Sequence, residues 1–295
     1  MISGKKALLI INPTSGTQSN KQRNLLLFLL EKHTSRLFES QIVLTTHANH
    51  ATQQALRAVE QGFDYVIAAG GDGTVNEVAK ALVNTPTALG ILPLGSGNGL
   101  ARHLGISMSI EKAIRQLCAQ KTIDIDACTA NQILFFCTAG VGFDACVAAR
   151  FATYSSRGLQ RYARVSLQSF LKYKAVDYVV ELDGRQLQLP AFTVTFANAS
   201  QYGNNAYIAP QAKIDDGLIN VCLLSPFPKA LGPIMAARLF RGTLPQSSYT
   251  QTYSVQQAKI TAPDKLLIHF DGEPLQLDTN ELTVSIQPRC LKVLV

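Results

Sequence analysis

The sequence has no apolar run that approaches the roughly 18 residues needed to cross a membrane, and its N-terminus lacks the layout of a signal peptide. It also contains no low-complexity linker and no internal repeat. Of its 295 residues only 16% are charged, whereas 47% are hydrophobic, which is not the composition of a disordered chain. These absences exclude membrane-spanning and disordered proteins and predict one large or two ordinary globular domains.

The cysteines lack the spacing of a metal site. Six are present, but no two form a C-x-x-C pair, so we expect a reduced protein of the cytoplasm. The five histidines are scattered, and an isolated histidine is more often a surface or core residue than a metal ligand. The sequence therefore indicates no metal site built from cysteine or histidine.

Acidic residues are missing from one long stretch of a chain whose formal net charge is +7. Residues 150–174 contain several basic residues, interleaved with aromatic and aliphatic ones, and no acidic residue. Such a basic amphipathic helix can lie on an anionic bilayer. A solvated helix face over a core stripe would show the same pattern. The charge favours an anionic partner, which could be a nucleotide, a nucleic acid or an acidic membrane surface.

A glycine-rich loop at residues 70–73 follows a predicted buried strand and precedes a predicted helix. The glycines allow the backbone to approach a ligand closely, and the free N–H groups of a helix start favour an anion. Asp72 would repel phosphate unless a divalent cation lay between them, which favours a magnesium nucleotide over bare phosphate. The alternative is a tight strand-to-helix turn in which Asp72 or Thr74 caps the helix.

Strands and helices alternate in the first half of the chain. Strands are predicted at residues 6–11, 41–45, 63–68 and 88–92, and helices at 25–37, 51–61, 75–83 and 100–104. This alternation implies a parallel sheet whose loops, including residues 12–16 and 93–99, converge at one edge. After about residue 121 most segments read as strands separated by Asp-Gly turns, which indicates antiparallel pairing. We expect an α/β domain at 1–125, completed by about 287–295, and a β-rich domain at 126–286.

The loops at residues 70–77 and 92–98 together resemble those of the diacylglycerol kinase catalytic-domain family, which includes bacterial soluble lipid kinases and the sphingosine and ceramide kinases. Residues 12–16, 215–217 and 270–273 are also similar, so the resemblance covers nearly the whole chain. The first glycine loop alone also resembles NAD kinases and phosphofructokinases. The resemblance implies an α/β N-terminal domain of the NAD kinase and diacylglycerol kinase type, with a parallel sheet, and a mainly antiparallel β-sandwich C-terminal domain.

The resemblance also implies functional residues. Positions that line the ATP site in similar kinases correspond to Asn12, Pro13, Thr14, Ser15, Gly16, Thr45, Gly70, Gly71, Asp72, Gly73, Thr74, Val75, Asn76 and Ser96. The general base corresponds to Asp271, with Glu273 beside it. A structural Mg²⁺ site corresponds to the Asp216 side chain with the backbone carbonyls of Lys213 and Leu218. From the residues alone, the Asp-Gly pairs at 216 and 271 would read as turns.

One position departs from the family pattern. Many bacterial members carry an acidic residue after the asparagine of the second glycine loop, where this chain has Gly99. In those members the acidic residue belongs to a magnesium and water network. Its absence puts that network in doubt here, although Asp124 and Asp126 could contribute to it. It also weakens the case for diacylglycerol as the specific substrate.

These features predict an ATP- and Mg²⁺-dependent kinase that phosphorylates a hydroxyl of a membrane lipid, such as diacylglycerol or a related glycerolipid or sphingoid lipid. We expect it in the cytoplasm, in transient contact with the anionic inner membrane face, with no nucleic-acid partner; a homodimer is left open. A hydrophobic lip is expected from Leu231, Ile234, Met235, Leu239 and Phe240, beside Arg238 and Arg241. The alternatives are a kinase of a soluble dinucleotide or sugar and a non-catalytic nucleotide- or lipid-binding regulator.

Overall fold

The computed structural model describes residues 4–15, 39–154 and 159–295. The predicted helix at 25–37 and Gly16 lie outside these residues. The chain divides into two compact units, the first comprising Met1–Ile125 with Arg289–Val295 and the second comprising Asp126–Pro288. None of the described helices is long and apolar enough to cross a membrane.

The first unit contains a parallel sheet with helices. Its strands are β1 (Lys6–Ile11), β2 (Glu39–Leu44), β3 (Tyr65–Gly70) and β4 (Ala88–Pro93), and its helices are α1 (His50–Glu60), α2 (Asp72–Leu82), α3 (Gly99–His103) and α4 (Ile110–Cys118). The strands lie in the order β2-β1-β3-β4 and every pair is parallel. All residues of β3 and β4 are buried, as expected for apolar strands of a covered parallel sheet. The predicted α/β architecture is confirmed.

The second unit is a sandwich of two mainly antiparallel sheets. Its elements are β5 (Thr122–Ala130, which begins in the first unit), β6 (Ile133–Phe135), β7 (Thr138–Gly142), α5 (Phe143–Ala152), α6 (Leu159–Lys172), β8 (Val176–Leu182), β9 (Arg185–Ala191), β10 (Thr193–Ala197), β11 (Ile219–Leu224), α7 (Gly232–Arg241), β12 (Thr250–Val255), β13 (Gln257–Thr261), β14 (Leu267–Phe270), β15 (Glu273–Gln276) and β16 (Glu281–Leu294). Short 3₁₀ helices lie at Lys229–Leu231 and Leu244–Gln246. The last strand, β16, ends in the first unit, where Val293 pairs in parallel with Leu89 of β4.

The sandwich core lies between the two sheets. One sheet contains β9-β8-β13-β16, and the other has the order β12-β11-β10-β7-β14-β15. Their facing side chains, among them Val141, Phe196, Val221, Val180 and Ile260, form one continuous buried cluster. Alternation along the strands places every second residue on this core, and the residues between them face the opposite side of each sheet. The predicted antiparallel sandwich is confirmed.

Two Asp-Gly pairs form equivalent hairpin turns in the second unit. Asp183 and Gly184 join β8 to β9, and Asp271 and Gly272 join β14 to β15. All four residues have positive φ, which is the requirement of a two-residue type I′ turn. By contrast, Asp216 and Gly217 lie in a turn before β11 and close no hairpin.

Candidate active site

Three loops of the first unit meet at the carboxyl ends of β1, β3 and β4. The Asn12 side-chain amide donates a hydrogen bond to Thr74 Oγ1 at 3.0 Å, and the Gly71 N–H donates to Ser15 Oγ at 3.2 Å. The Asn12 N–H donates to the Ala69 carbonyl at 3.0 Å. The loop after β1 is therefore joined to the loop after β3, as the sequence predicted for residues of one site.

The loop after β1 is held by one side chain. Asn12 Oδ1 accepts hydrogen bonds from the Thr14 backbone N–H at 3.0 Å and from the Thr14 hydroxyl at 2.8 Å. The Asn12 carbonyl also accepts the Ser15 N–H at 3.2 Å. Pro13, between them, is half-buried. Asn12 thus shapes the turn that presents Thr14 and Ser15 at the sheet edge.

Asp72 joins the loop after β3 to the loop after β4. Its carboxylate accepts the Asn98 N–H on Oδ2 at 2.8 Å and the Gly99 N–H on Oδ1 at 2.7 Å. These two N–H groups lie at the N-terminus of α3, where no carbonyl of the helix can accept them. The Asp72 carboxylate therefore serves as their acceptor. The alternative reading, in which Asp72 or Thr74 caps α2, is wrong: the N-cap of α2 is Gly71, which has no side chain and whose N–H donates to Ser15 Oγ. Thr74 Oγ1 instead accepts from Asn12, and Asp72 turns toward the neighbouring loop.

The glycines of these loops are required by contacts between the loops themselves. A Cβ on Gly95 would lie 2.6 Å from the Gly71 Cα, and one on Gly97 would lie 2.6 Å from Asp72 Oδ2. A Cβ on Gly70 would lie 2.5 Å from the Thr74 Cβ. The sequence argument assigned the glycines to close approach by a ligand. The structure adds a second reason, because any side chain at Gly95 would separate the two loops.

Asn98 is a structural residue of the site that the predicted list omits. Its φ is +53°, its Oδ1 accepts the Gly95 N–H at 3.1 Å, and its Nδ2 donates to the Gly95 carbonyl at 2.7 Å. An asparagine that bonds its own loop and tolerates the left-handed region is a turn signal that the sequence offered. Ser96, at the tip of this loop, is exposed.

The remaining predicted ATP-site residues lie near the same edge of the sheet. Val75 and Asn76 are buried in the first turns of α2, and Gly73 is exposed there. Thr45 follows β2 and donates its backbone N–H to the Ile11 carbonyl at 2.9 Å. The motif residue Glu77 accepts the Asn49 and Ala51 N–H groups at 3.0 and 3.1 Å and so caps the start of α1. Its position in the motif therefore has a structural reason.

Asp271 is held by backbone N–H groups in the second unit. Its Oδ2 accepts the Phe136 N–H at 2.8 Å, and its Oδ1 accepts the Cys137 and Thr138 N–H groups at 2.8 and 3.0 Å. Its own N–H donates to the Thr138 carbonyl at 2.7 Å. The carboxylate is consequently fixed at the start of β7. Glu273, two residues later, is exposed at the start of β15.

The equivalent turn at Asp183 uses the same arrangement. The Asp183 carboxylate accepts the Gln256 N–H at 3.2 and 3.3 Å and the Gln257 N–H at 3.0 Å. Both Asp-Gly turns therefore bind the backbone of a neighbouring segment through the aspartate. This shared geometry has a structural function at both places, so it does not by itself assign a chemical role to Asp271.

The predicted Mg²⁺ ligands lie in the turn before β11. Asp216 is exposed, and its Oδ1 accepts the Leu218 N–H at 3.1 Å. Asp126 is fully buried, and its Oδ2 accepts the Gly217 N–H at 2.7 Å, so it anchors this turn. The described residues contain no group of three or more His, Cys, Asp or Glu side chains that could hold a metal. A site with one carboxylate and two carbonyls requires no such group, and its oxygen donors suit Mg²⁺.

Two protein-family models match most of this chain. The family model described as diacylglycerol kinase catalytic domain matches residues 6–130, and the model described as YegS C-terminal NAD kinase beta sandwich-like domain matches residues 137–295. A diacylglycerol kinase of Bacillus subtilis is 30% identical over 281 residues, covering 91% of this chain and 90% of that protein. A diacylglycerol kinase of Staphylococcus saprophyticus is 31% identical over 276 residues, covering 91% and 89%.

The fold is also shared with a solved structure. The crystal structure of a diacylglycerol kinase from Bacillus anthracis superposes with a TM-score of 0.77 at 17% sequence identity, covering 100% of this chain and 98% of that one. At this identity the likeness concerns the fold. The family assignment comes from the two matching models, which together span most of the chain, and from the curated relatives. The chain belongs to the diacylglycerol kinase catalytic-domain family and is a lipid kinase.

Proposed function

We propose that this protein transfers the γ-phosphoryl group of ATP, with Mg²⁺, to a hydroxyl of a membrane lipid of the diacylglycerol type. The observation that carries the proposal is the joined set of three loops at the carboxyl edge of the parallel sheet. This edge is where open α/β sheets bind ligands. Residues 12–15, 70–76 and 95–99 meet there through side-chain and backbone hydrogen bonds.

The glycine loops would bind the phosphates through backbone N–H groups. Gly71 and Gly95 approach so closely that a Cβ on Gly95 would lie 2.6 Å from the Gly71 Cα, so the second loop carries no side chain at this point. Loops of this kind present N–H groups to an anion without a steric barrier. Thr14, Thr45 and Ser96 would add hydroxyl groups at the same edge. Phosphoryl transfer requires mainly positioning and charge neutralisation from a protein, and these loops are suited to both.

Asp271 would accept the proton of the lipid hydroxyl. A carboxylate is an adequate base for this reaction because the transition state is loose and the nucleophile needs little activation. The three backbone N–H groups of residues 136–138 fix the orientation of the carboxylate. Glu273, exposed two residues later, would add negative charge beside it.

Mg²⁺ would be held at the turn before β11 by the Asp216 carboxylate and the carbonyls of Lys213 and Leu218. When bound, the ion supplies a positive charge that stiffens this oxygen-rich turn. Asp126 already anchors this turn by accepting the Gly217 N–H. A second ion associated with the nucleotide would reconcile Asp72 with a phosphate, although Asp72 here binds the second glycine loop.

The second unit would meet the lipid bilayer with one face of α6 and α7. The exposed apolar side chains are Leu167 (62%), Leu171 (58%), Ile234 (54%) and Phe240 (53%). The two helices contact each other, because Gly232 leaves room for the Phe170 ring and the Lys229 ammonium bonds to the Leu171 carbonyl. We call these four side chains the apolar face. The hydrophobic lip expected at residues 231–240 is thereby revised. Met235 is buried, and Leu231 and Leu239 pack against the core.

Charge favours an anionic bilayer as the occupant of this face. Residues 145–176 and 217–263 contain no acidic residue, yet they carry ten lysines and arginines in total, namely Arg150, Arg157, Arg161, Arg164, Lys172, Lys174, Lys229, Arg238, Arg241 and Lys259. Basic residues around exposed apolar side chains attract a protein to anionic lipid. The sequence treated the two segments separately, whereas in the fold α6 contacts the start of α7 and the turn before it.

The decisive test compares two aspartates in equivalent turns. We expect Asp271→Asn to lower the rate of lipid phosphorylation by about 10²- to 10⁴-fold, the usual effect of losing a general base, with ATP affinity changed no more than a few-fold. Asp183→Asn removes a carboxylate that also accepts backbone N–H groups, those of Gln256 and Gln257, in the same kind of turn, so it should leave the rate within a few-fold. Activity is measured with labelled ATP, Mg²⁺ and a panel of lipids in mixed micelles.

The control separates chemistry from turn stability. Equal losses in both variants would show that Asp271 acts only through its turn. Full activity of Asp271→Asn would show that another group takes the proton. Parallel reactions with NAD or a sugar as the acceptor and without lipid test the soluble-substrate alternative. Nucleotide binding with no transfer to any acceptor would favour the non-catalytic regulator.

A further inference from the structure

The outer face of the second sheet contains a buried contact between a histidine and a carboxylate directly beside β14. His269 Nε2 lies 3.1 Å from Asp144 Oδ2, and the two side chains are only 3% and 11% exposed. His269 is the residue opposite Gly140 of β7, and Asp144 stands at the start of α5, which follows β7. The pair therefore connects β14 to the end of β7 and to the helix that covers it.

Several groups are arranged to hold the Asp144 carboxylate. Its Oδ2 accepts the hydroxyls of Thr195 at 2.9 Å and Tyr202 at 3.1 Å, and its Oδ1 accepts the Ala145 N–H at 2.8 Å. Gly140 leaves room for the carboxylate, since a Cβ there would lie 2.6 Å from Oδ2. A glycine, a threonine, a tyrosine and a histidine from four segments thus surround one buried charge.

Stability by itself does not explain why these polar side chains are buried, because burying them costs free energy of folding. Elsewhere the same face of the sheet is covered by an apolar cluster that includes Ala197, Cys222 and Leu224. A buried polar or ionic pair is often no more stabilising than apolar residues of similar volume, and its best-attested use is to select one register. Register matters at β14 because a slip by one residue would turn each of its side chains to the opposite face.

The register of β14 decides where Asp271 lies. The strand has only four residues, and it pairs with β7 through Ile268, His269 and Phe270. Asp271 follows directly and reaches the N–H groups at the start of β7. His269 lies in the middle of this short pairing and Asp271 follows its end, so loss of the His269 contact would loosen the Asp271 contacts.

We propose that Asp144 and His269 are positioning residues that fix the register of β14 on β7 and, through it, the place of the Asp271 carboxylate. This inference rests on the proposed role of Asp271 in phosphoryl transfer. It predicts that the pair affects turnover rather than nucleotide binding. Neither side chain belongs to the predicted list of site residues, because no short motif links a helix start to a histidine so distant in sequence.

The first arm of the test needs no enzymatic activity. Site-resolved amide hydrogen exchange follows Phe136, Cys137 and Thr138, whose N–H groups the Asp271 carboxylate accepts. In Asp144→Asn and in His269→Gln, which conserve shape closely, we expect protection at these amides to fall about tenfold or more while most of the second unit stays protected. The control is Val180→Ala, a core truncation in the other sheet, which should spare these three amides.

The second arm measures lipid phosphorylation. We expect kcat to fall about 10- to 100-fold in both variants, the scale of a small misplacement, with the KM for ATP unchanged within twofold. Val180→Ala should retain kcat. Unchanged exchange at residues 136–138 would overturn the proposal, and so would exchange that rises uniformly across the unit. If the wild-type protein phosphorylates no lipid, the proposed function fails, whereas the exchange arm still decides whether the pair places Asp271.

Discussion

At the scale of single residues, the aspartates of this chain bind backbone N–H groups in loops. Asp72, Asp126, Asp183 and Asp271 each accept at least one such group from a segment distant in sequence. Loop N–H groups have no partner in a helix or sheet ladder, and a carboxylate can accept several at once. These carboxylates therefore shape the loops in which they lie, whatever chemistry they also perform.

Asp144 differs because its partners are mainly side chains and its charge is buried. Burial raises the pKa of Asp144, but nearby His269 and the hydrogen bond from Thr195 outweigh that effect, so the pKa lies below its ordinary value. A depressed pKa means that the folded state favours the ionised form. The resulting contribution to the free energy of unfolding is complete above about pH 4, the unfolded value, and is lost as pH falls through the folded value.

This electrostatic prediction can be measured directly. In a carboxyl-carbon NMR titration of the folded protein, we expect the Asp144 midpoint below about 3.9, the ordinary aspartate value. In His269→Gln the midpoint should move upward, because the variant removes the neighbour that lowers the Asp144 pKa. A wild-type midpoint at or above the ordinary value would contradict this effect of His269 on Asp144.

At the scale of elements, the proposed nucleotide-binding edge depends on loops that hold one another. Asp72→Ala would leave the Asn98 and Gly99 N–H groups without their acceptor, and each such loss typically costs about 1–3 kcal/mol when the group is buried. The second glycine loop should then shift relative to the first. We expect the KM for ATP to rise about tenfold or more, together with a lower thermal midpoint.

A matched control is available in the same unit. Asp64 also accepts a backbone N–H, that of Lys6 at 2.8 Å, but it precedes β3 and so lies at the opposite edge of the sheet. Asp64→Ala should leave the KM for ATP unchanged. Equal KM values for wild type and Asp72→Ala would show that the hydrogen bonds of Asp72 are irrelevant to nucleotide use.

At the scale of the whole molecule, the proposed contact between the apolar face and a bilayer can be tested with lipid vesicles. We expect binding to vesicles that contain anionic phosphatidylglycerol and weak binding to phosphatidylcholine vesicles, with affinity falling as salt rises. Leu167→Ser combined with Phe240→Ser should reduce sedimentation with anionic vesicles. Leu56→Ser, at an apolar side chain of α1 that is 48% exposed, serves as the control.

The vesicle experiment distinguishes the apolar face from general basicity. Equal loss of binding in Leu56→Ser and in the double variant would exclude a specific face. Equal binding of wild type to both lipids would exclude the electrostatic contribution. A change confined to the Leu167 and Phe240 variant would assign membrane contact to α6 and α7.

The sequence by itself determined the order and type of the elements, because hydrophobic periodicity and turn chemistry act over short distances. Residues 65–70 read as a buried strand, and the Asp-Gly pairs at 183 and 271 read as hairpin turns. The glycine loops were recognisable for the same reason, and their residue order led to the family.

Only the tertiary structure decided which partner each polar group takes. Asp72 bonds Asn98 and Gly99 rather than its own helix, and Asp144 meets His269 from the other end of the unit. Such contacts join segments far apart in the chain, and they depend on strand register and on the way helices cover a sheet. Local pattern does not encode these quantities, because the same aspartate can cap a helix, hold a loop or pair with a histidine according to what the fold brings near it.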